Sequence, residues 1–174
     1  MQQWDLCKAL NKYGVCEEKY FPYDTSNFKN PPSEEAETNA LNHKITNYRY
    51  IYSLNDMKIY LNSYKLPILM GMQIFESFES MEVAKTGIVP LPKPNGKNRG
   101  GHAVLVVGYD DEFIPGKTKS KIINTVKGIF VDKSMKGALI VRNSWSADWG
   151  DRGYFYLPYS FVNKGYAFDF WTIS

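Results

Sequence analysis

A histidine and an asparagine, each at one end of an apolar segment, are the residues of this sequence best suited to chemistry. His102 opens the apolar part of GGHAVLVVGYD, and Asn143 follows the apolar residues of ALIVRNSWSADWG. If neighbouring strands carry them, the amide oxygen of Asn143 can accept the imidazole N–H and fix the tautomer and orientation of the ring. The other ring nitrogen of His102 is then free to take a proton from a nucleophile.

The nucleophile that suits such a pair is a thiol rather than a hydroxyl. A thiol can ionise against an imidazole without a buried carboxylate behind it, because thiolate and imidazolium stabilise each other. Trp145 and Trp149 follow Asn143 closely, and an indole beside the pair would keep water from its hydrogen bond. The pattern therefore favours a thiol as the nucleophile.

The two cysteines of the sequence are poor candidates for that thiol. Cys7 lies within a predicted helix, on an apolar stripe with Trp4 and Leu10, which predicts a packed core thiol. Cys16 follows the end of the same helix and lacks the aromatic neighbour of a nucleophile motif. Two cysteines are too few for a disulfide scaffold, and with two remote histidines they form no zinc pattern.

Composition places the chain among ordinary globular domains and excludes several functions. Its 174 residues are 44% hydrophobic and 22% charged, with a net charge of +3. That charge is too small and too scattered to indicate nucleic-acid binding, and 13 tyrosines and 10 phenylalanines fit the strands of a β core. No apolar run is long enough for a membrane span, and the first residues lack the features of a signal peptide.

Periodicity and turn residues predict a short helical part followed by strands. Two helices are expected, at Gln3–Tyr13 and from the capping residue Ser53 to about Tyr64. Predicted strands are Tyr48–Ile51, 66–75, His102–Tyr109, Ala138–Val141, Gly153–Leu157 and Ala167–Ile173. The third of these does not alternate and is expected to be buried on both faces. The predicted connections are a surface loop at Thr86–Gly101 and a hairpin around Lys127-Gly128. This order indicates an α+β protein with an antiparallel barrel or sandwich.

The same segments resemble a known family. GGHAVLVVGYD and RNSWSADWGDRGYF resemble the two C-terminal signatures of papain-like cysteine peptidases. LCKALNKYGVCEEKYFPYD and HKITNYRYIYSLNDMKIYLNSYKLPILMGMQIF are similar to earlier parts of the same domain, so the resemblance covers almost the whole chain. It implies a papain-like fold in two parts. Residues 1–43 would be a remnant of the helical half, and residues 44–174 would form the β-barrel half with the histidine and asparagine.

The resemblance also implies a role for individual residues. His102 and Asn143 match the catalytic histidine and the residue that orients it, and Trp145 matches the indole that covers the pair. Trp149 matches the aromatic residue on the leaving-group side of the cleft. The implied substrate-binding residues lie on two strands, and they are Gly101, Ala103, Met70 and Met72. Which of the two methionines faces the cleft is left open by the sequence.

The sequence departs from the family pattern at two places. Ser146 stands where the family usually has glycine, in a tight turn. The family's nucleophile lies in a Gln…Cys-Gly-Ser-Cys-Trp context roughly 130 residues or more before the histidine, which is beyond the first residue of this chain. The central helix that carries the nucleophile is therefore expected to be absent from these residues, together with the glutamine that stabilises the oxyanion.

Three functions remain open at this point. The chain could be the larger part of a cysteine peptidase that acts on peptides or proteins, with its thiol in a longer or a second chain. It could instead be a non-catalytic relative that binds peptides or a partner, or a papain-like fold with transferase or amidase chemistry. The resemblance implies no cofactor and no metal, and it suggests a secreted, lysosomal or vacuolar location. An exposed apolar surface along the cleft is also expected where the central helix is missing.

Overall fold

The fold combines short helices with one antiparallel sheet, as the sequence predicts. The structure is a computed structural model that describes residues 2–115 and 136–174. The helices in these residues are α1 (Gln3–Lys12), α2 (Glu34–Ala40), α3 (Leu54–Ile59), α4 (Met81–Thr86) and α5 (Tyr159–Asn163). The strands are β1 (Tyr48–Tyr50), β2 (Ile68–Phe75), β3 (Asn98–Asp110), β4 (Ala138–Arg142), β5 (Tyr154–Pro158) and β6 (Ala167–Ile173). The hairpin predicted around Lys127-Gly128 lies outside the described residues.

Helix α1 ends at a glycine whose conformation and surroundings exclude other residues. Gly14 has a φ of +79°, and its N–H donates to the carbonyl of Leu10. A Cβ at this position would lie 1.9 Å from the carbonyl oxygen of Ala40. The predicted helix is confirmed to within one residue. The predicted stripe is only partly correct, since Cys7 is fully buried whereas Trp4 is 43% exposed under the ammonium group of Lys8.

Serine caps begin three of the helices. The Ser53 side chain accepts a hydrogen bond from the backbone N–H of Asp56, which confirms the predicted start of α3, and a π-helical turn at Tyr60–Tyr64 extends it. Ser33 and Ser80 begin α2 and α4 in the same way. These two helices, and α5, were not predicted because each is too short to show a helical period.

The sheet has the strand order β1-β6-β2-β3-β4-β5, and every neighbouring pair is antiparallel. Its core side holds Ile68, Met70 and Met72 of β2 against Val104 and Val106 of β3. The strands β4, β5 and β6 agree with their predicted positions to within one residue.

Strand β3 corrects two predictions. Val104 and Val106 are buried while Val107 is 40% exposed, so the strand is not buried on both faces. The reason is that an antiparallel sheet can pack on a core with one face and leave the other partly in water. The strand also begins at Asn98, inside the predicted surface loop, and Ile88 and Val89 of that loop are buried.

Helix α1 is attached to the last strand by one side chain. The carboxylate of Asp169 accepts the backbone N–H of Gln3 at 2.7 Å and the indole N–H of Trp171 at 2.8 Å. Helices α1 and α2 precede all the described strands in sequence. The division of the chain at residue 43 into a helical and a β-barrel half stays a prediction. No helix in the described residues is long and apolar enough to cross a membrane.

Candidate active site

The fold brings His102 and Asn143 together. His102 lies on β3, and Asn143 follows the end of β4, the strand that pairs with β3 on the side away from β2. The Nε2 atom of His102 lies 2.9 Å from the Oδ1 atom of Asn143. The contact expected from the two sequence motifs is therefore present.

The hydrogen bonds around Asn143 define which end of its amide faces the histidine. Its Oδ1 atom also accepts the backbone N–H of Ser144 at 2.9 Å. A backbone N–H can only donate, so the amide oxygen lies at this end of the side chain. His102 must then carry its proton on Nε2, which leaves Nδ1 of the neutral ring as an acceptor. That is the protonation pattern required of a general base.

An aromatic cluster covers the pair. The rings of His102 and Trp145 lie with centroids 5.4 Å apart and an interplanar angle of 31°. Trp145 packs edge-on against Trp149 at 5.1 Å, and both indoles contact Phe78, which is buried. Sequence reasoning placed the two tryptophans at the site but missed Phe78, whose only signal was an apolar residue shortly before the Ser80 cap. Trp145 stays 39% exposed, so the cover is formed on one side only.

The strands beside His102 present a different set of residues from the one expected. Met70 and Met72 have no exposed surface and belong to the core, so neither methionine offers a contact to a peptide in this arrangement. Gly71 between them pairs with Ala103 on the opposite face of the sheet. Gly101 and Ala103 are exposed, as a substrate-binding role requires.

Gly71 was missed because its importance depends on a residue far away in the sequence. A Cβ at Gly71 would lie 2.9 Å from the Cε2 atom of Phe168. Phe168 is 44% exposed, and its ring covers the glycine from β6. The exposed surface at Gly71 and Ala103 therefore consists of small residues bordered by one aromatic ring, on the face opposite to His102, which pairs with Met72.

Neither cysteine completes the site in this arrangement. Burial raises the pKa of the Cys7 thiol, and the negative charge of Asp169 raises that pKa further, so the thiolate is disfavoured. Cys16 is half-buried in the segment that follows α1. Among the hydrogen bonds of the described residues, none joins a cysteine to His102. The sequence prediction that Cys7 is a packed core thiol is confirmed.

Comparison with known proteins decides the family. A sequence profile of the papain family cysteine proteases matches residues 2–165. The chain belongs to the papain family. An uncharacterized peptidase C1-like protein of Acanthamoeba polyphaga mimivirus is 36% identical over 178 residues, covering 96% of this chain and 49% of the relative. Peptidase 1 of Psoroptes ovis is 29% identical over 86% of this chain and 38% of the relative.

A solved structure in the papain family has the same fold. The crystal structure of xylellain, a cysteine protease from Xylella fastidiosa, matches with a TM-score of 0.74 and 30% identity. The match covers 98% of this chain and 60% of the xylellain chain. The papain-like α+β fold inferred from the sequence is thus confirmed. The chain spans less than two thirds of xylellain and about half or less of the two sequence relatives.

Proposed function

We propose that this chain supplies the histidine and asparagine of a papain-family peptidase site that hydrolyses peptide bonds in peptide or protein substrates. The observation that carries the proposal is the 2.9 Å contact between His102 Nε2 and Asn143 Oδ1. In this proposal the nucleophilic thiol comes from residues outside the 174, in a longer chain or a second chain.

The proposed chemistry is acyl transfer through a thioester. His102 and the thiol exchange a proton to form an imidazolium and a thiolate, and the thiolate attacks the peptide carbonyl. The imidazolium then protonates the leaving amine, which breaks the C–N bond and leaves an acyl group on sulfur. His102 next takes a proton from water, whose oxygen attacks the thioester and restores the thiol. Asn143 keeps the ring oriented in both steps.

In this proposal, each of the other residues around His102 has a role in the reaction or in substrate binding. Trp145 shields the hydrogen bond between His102 and Asn143, and Trp149 lies on the leaving-group side. The peptide backbone passes Gly101 and Ala103, whose small side chains leave room for it. Met70 and Met72 contribute indirectly, because they hold β2 against the core beneath that surface.

The non-core face of the sheet supports an external source for the thiol. Val107 and Phe168 on this face are 40% and 44% exposed. In this proposal, the segment that supplies the thiol covers these side chains. Since Cys7 is buried with a raised pKa, it does not supply the activated thiol.

Labelling of the native protein with a biotin-tagged epoxide that alkylates active thiolates tests the proposal. The expected labelled cysteine lies outside residues 1–174, in a polypeptide that is joined to this chain or purifies with it. Labelling of Cys7 or Cys16 that requires His102 would contradict this assignment. Recovery of the chain with no reactive thiol at all would support the non-catalytic relative instead.

A matched pair of histidine variants tests the role of His102 in the same assembly. His102→Ala should abolish both epoxide labelling and hydrolysis of a fluorogenic peptide, because no base remains to form the thiolate. His43→Ala removes the other histidine, which is exposed, and should leave both measurements unchanged.

A further inference from the structure

A polar cavity of about 360 Å³ lies on the other side of Asn143, between the end of β4 and the start of β5. The residues of its wall that can donate hydrogen bonds are Arg142, Asn143, Ser144, Ser146, Arg152 and Tyr154. No carboxylate side chain belongs to its lining within the described part of the chain. The proposed peptidase chemistry does not use this cavity.

The charged side chains in the lining of the cavity are both arginines. Arg142 forms no salt bridge with any residue of the two described ranges. Arg152 lies 3.4 Å from a carboxylate oxygen of Asp151, but its side chain is 90% exposed, so solvent weakens this pair. Asp148 is the other acid in the loop, and its backbone N–H donates to Ser146 Oγ at 3.3 Å. Two arginines thus line the cavity, and the nearby carboxylate of Asp151 is shared between Arg152 and Tyr156.

The amide of Asn143 has an unused donor at this place. Asn143 is only 8% exposed, and its Nδ2 atom is buried with no hydrogen-bond partner among the described residues. A buried N–H group without an acceptor is unfavourable, and such groups are rare in folded proteins. The Nδ2 atom of Asn143 has almost no accessible surface, so an anion in the cavity contacts the neighbouring residues rather than this group.

Ser146 adds a hydroxyl to the same wall. Its backbone has a φ of +75°, in the left-handed region that favours glycine. Papain-like sequences usually have glycine at this position, so the hydroxyl is a feature of this chain. Because Ser146 Oγ only accepts in its bond from Asp148, its O–H remains free to donate.

We propose that this cavity is an anion-binding site that takes a tetrahedral oxyanion of the phosphate or sulfate class. Arg142 binds two of its oxygens in the bidentate geometry that guanidinium groups form with such anions, and Arg152 neutralises the remaining charge. The serine hydroxyls donate to the other oxygens. Because Asn143 lines the cavity and its Oδ1 atom contacts His102, anion binding is linked to the position of the histidine.

Calorimetric titration of the chain with inorganic phosphate, at constant ionic strength and pH 7.5, tests the site. Arg142→Gln should weaken phosphate binding at least 10-fold, and Arg152→Gln should weaken it less. Arg49→Gln removes the same charge from an exposed position on β1 and is the matched control, with binding expected to match the unmodified chain. Equal phosphate affinity in Arg142→Gln and Arg49→Gln, or no heat in any variant, would overturn the proposal.

Two further measurements define the ligand and the link to His102. Acetate at the same ionic strength should bind at least 10-fold more weakly than phosphate, and tighter binding of acetate would overturn the assignment to tetrahedral anions. Phosphate should shift the NMR signals of the His102 ring in the unmodified chain but not in Arg142→Gln. None of these readouts requires peptide hydrolysis, so the site can be accepted or rejected whatever the outcome for the peptidase proposal.

Discussion

Asn143→Ala is the substitution that tests the central contact most directly. It removes the oxygen that accepts from His102 and from the backbone of Ser144, each at 2.9 Å. A hydrogen bond of this kind contributes about 1 kcal/mol net, so the two together contribute about 2 kcal/mol. The same substitution removes the unpartnered Nδ2 atom, whose burial costs about 1 kcal/mol at the lower end of its range.

The net loss of stability is therefore small, about 1 kcal/mol. For a chain of this size it corresponds to a fall in Tm of roughly 2–4 °C. The effect on His102 is larger, because Asn143 is the one side chain among the described residues that accepts its Nε2–H. Asn143→Asp keeps an oxygen acceptor and should preserve the orientation of the ring. Asn163→Ala changes an exposed asparagine at the end of α5 and should alter neither quantity.

Two assays separate the consequences of Asn143→Ala. Thermal denaturation measures stability, and NMR of ¹⁵N-histidine-labelled protein detects the Nε2–H proton of His102, which exchanges slowly only while it is hydrogen-bonded and shielded by Trp145. The proton should be observed in the unmodified chain and in Asn143→Asp, and should be lost in Asn143→Ala. A protected Nε2–H that survives in Asn143→Ala would refute the reasoning, because another acceptor would then hold the ring.

The other predictions concern stability. Gly137→Ala should lower the free energy of unfolding more than Gly165→Ala. Both glycines have positive φ, +84° and +73°, which strains an alanine by about 1–2 kcal/mol. Of the two, only Gly137 would place its Cβ against a ring, 2.3 Å from Tyr159, and this clash adds about 1–3 kcal/mol. Urea denaturation measures the free energy of unfolding of both variants. Equal losses would contradict the predicted clash with Tyr159. Phe78→Ala should lower the free energy of unfolding by about 3–5 kcal/mol and change tryptophan fluorescence, since the buried ring packs against both indoles of the site. Burial raises the pKa of Tyr156 to about 12, and its hydrogen bond to the carboxylate of Asp151 contributes to the increase. The folded chain therefore keeps a proton that an unfolded tyrosine loses near pH 10. Stability should therefore fall as the pH rises from 10 to 12, and Tyr156→Phe should reduce this slope; an unchanged slope would argue against the assignment.

Local signals in the sequence were sufficient for the elements that carry the site. The C-terminus of α1 follows from Gly14, and the N-terminus of α3 follows from Ser53. A positive φ and a side-chain cap are properties of single residues, so the sequence shows both. His102 and Asn143 were found because each stands at a change from polar to apolar residues. Positions predicted from such boundaries agree with the folded structure, since they depend little on which residues pack against them.

The faces of the central strands could not be derived in the same way. Strand β2 is apolar at almost every position, so its sequence does not say that Met70 and Met72 face the core and Gly71 the opposite side. That choice depends on Ala103 and Phe168, which become neighbours only in the folded sheet. Short helices such as α4 were missed for a related reason, because packing rather than periodicity stabilises them.

The position of β6 has a consequence for biosynthesis. Strand β6 follows the other five strands in sequence, yet it lies between β1 and β2, and among the described strands β1 pairs with β6 alone. While a ribosome is still translating residues 167–173, the nascent polypeptide therefore has a gap in its sheet, and the edge of β2 is open to pairing with other chains. Contacts such as that between Gln3 and Asp169 span 166 positions, which is typical of slow folding. Production of this protein should consequently benefit from low expression temperature and from chaperones that shield a strand edge until β6 has been synthesised.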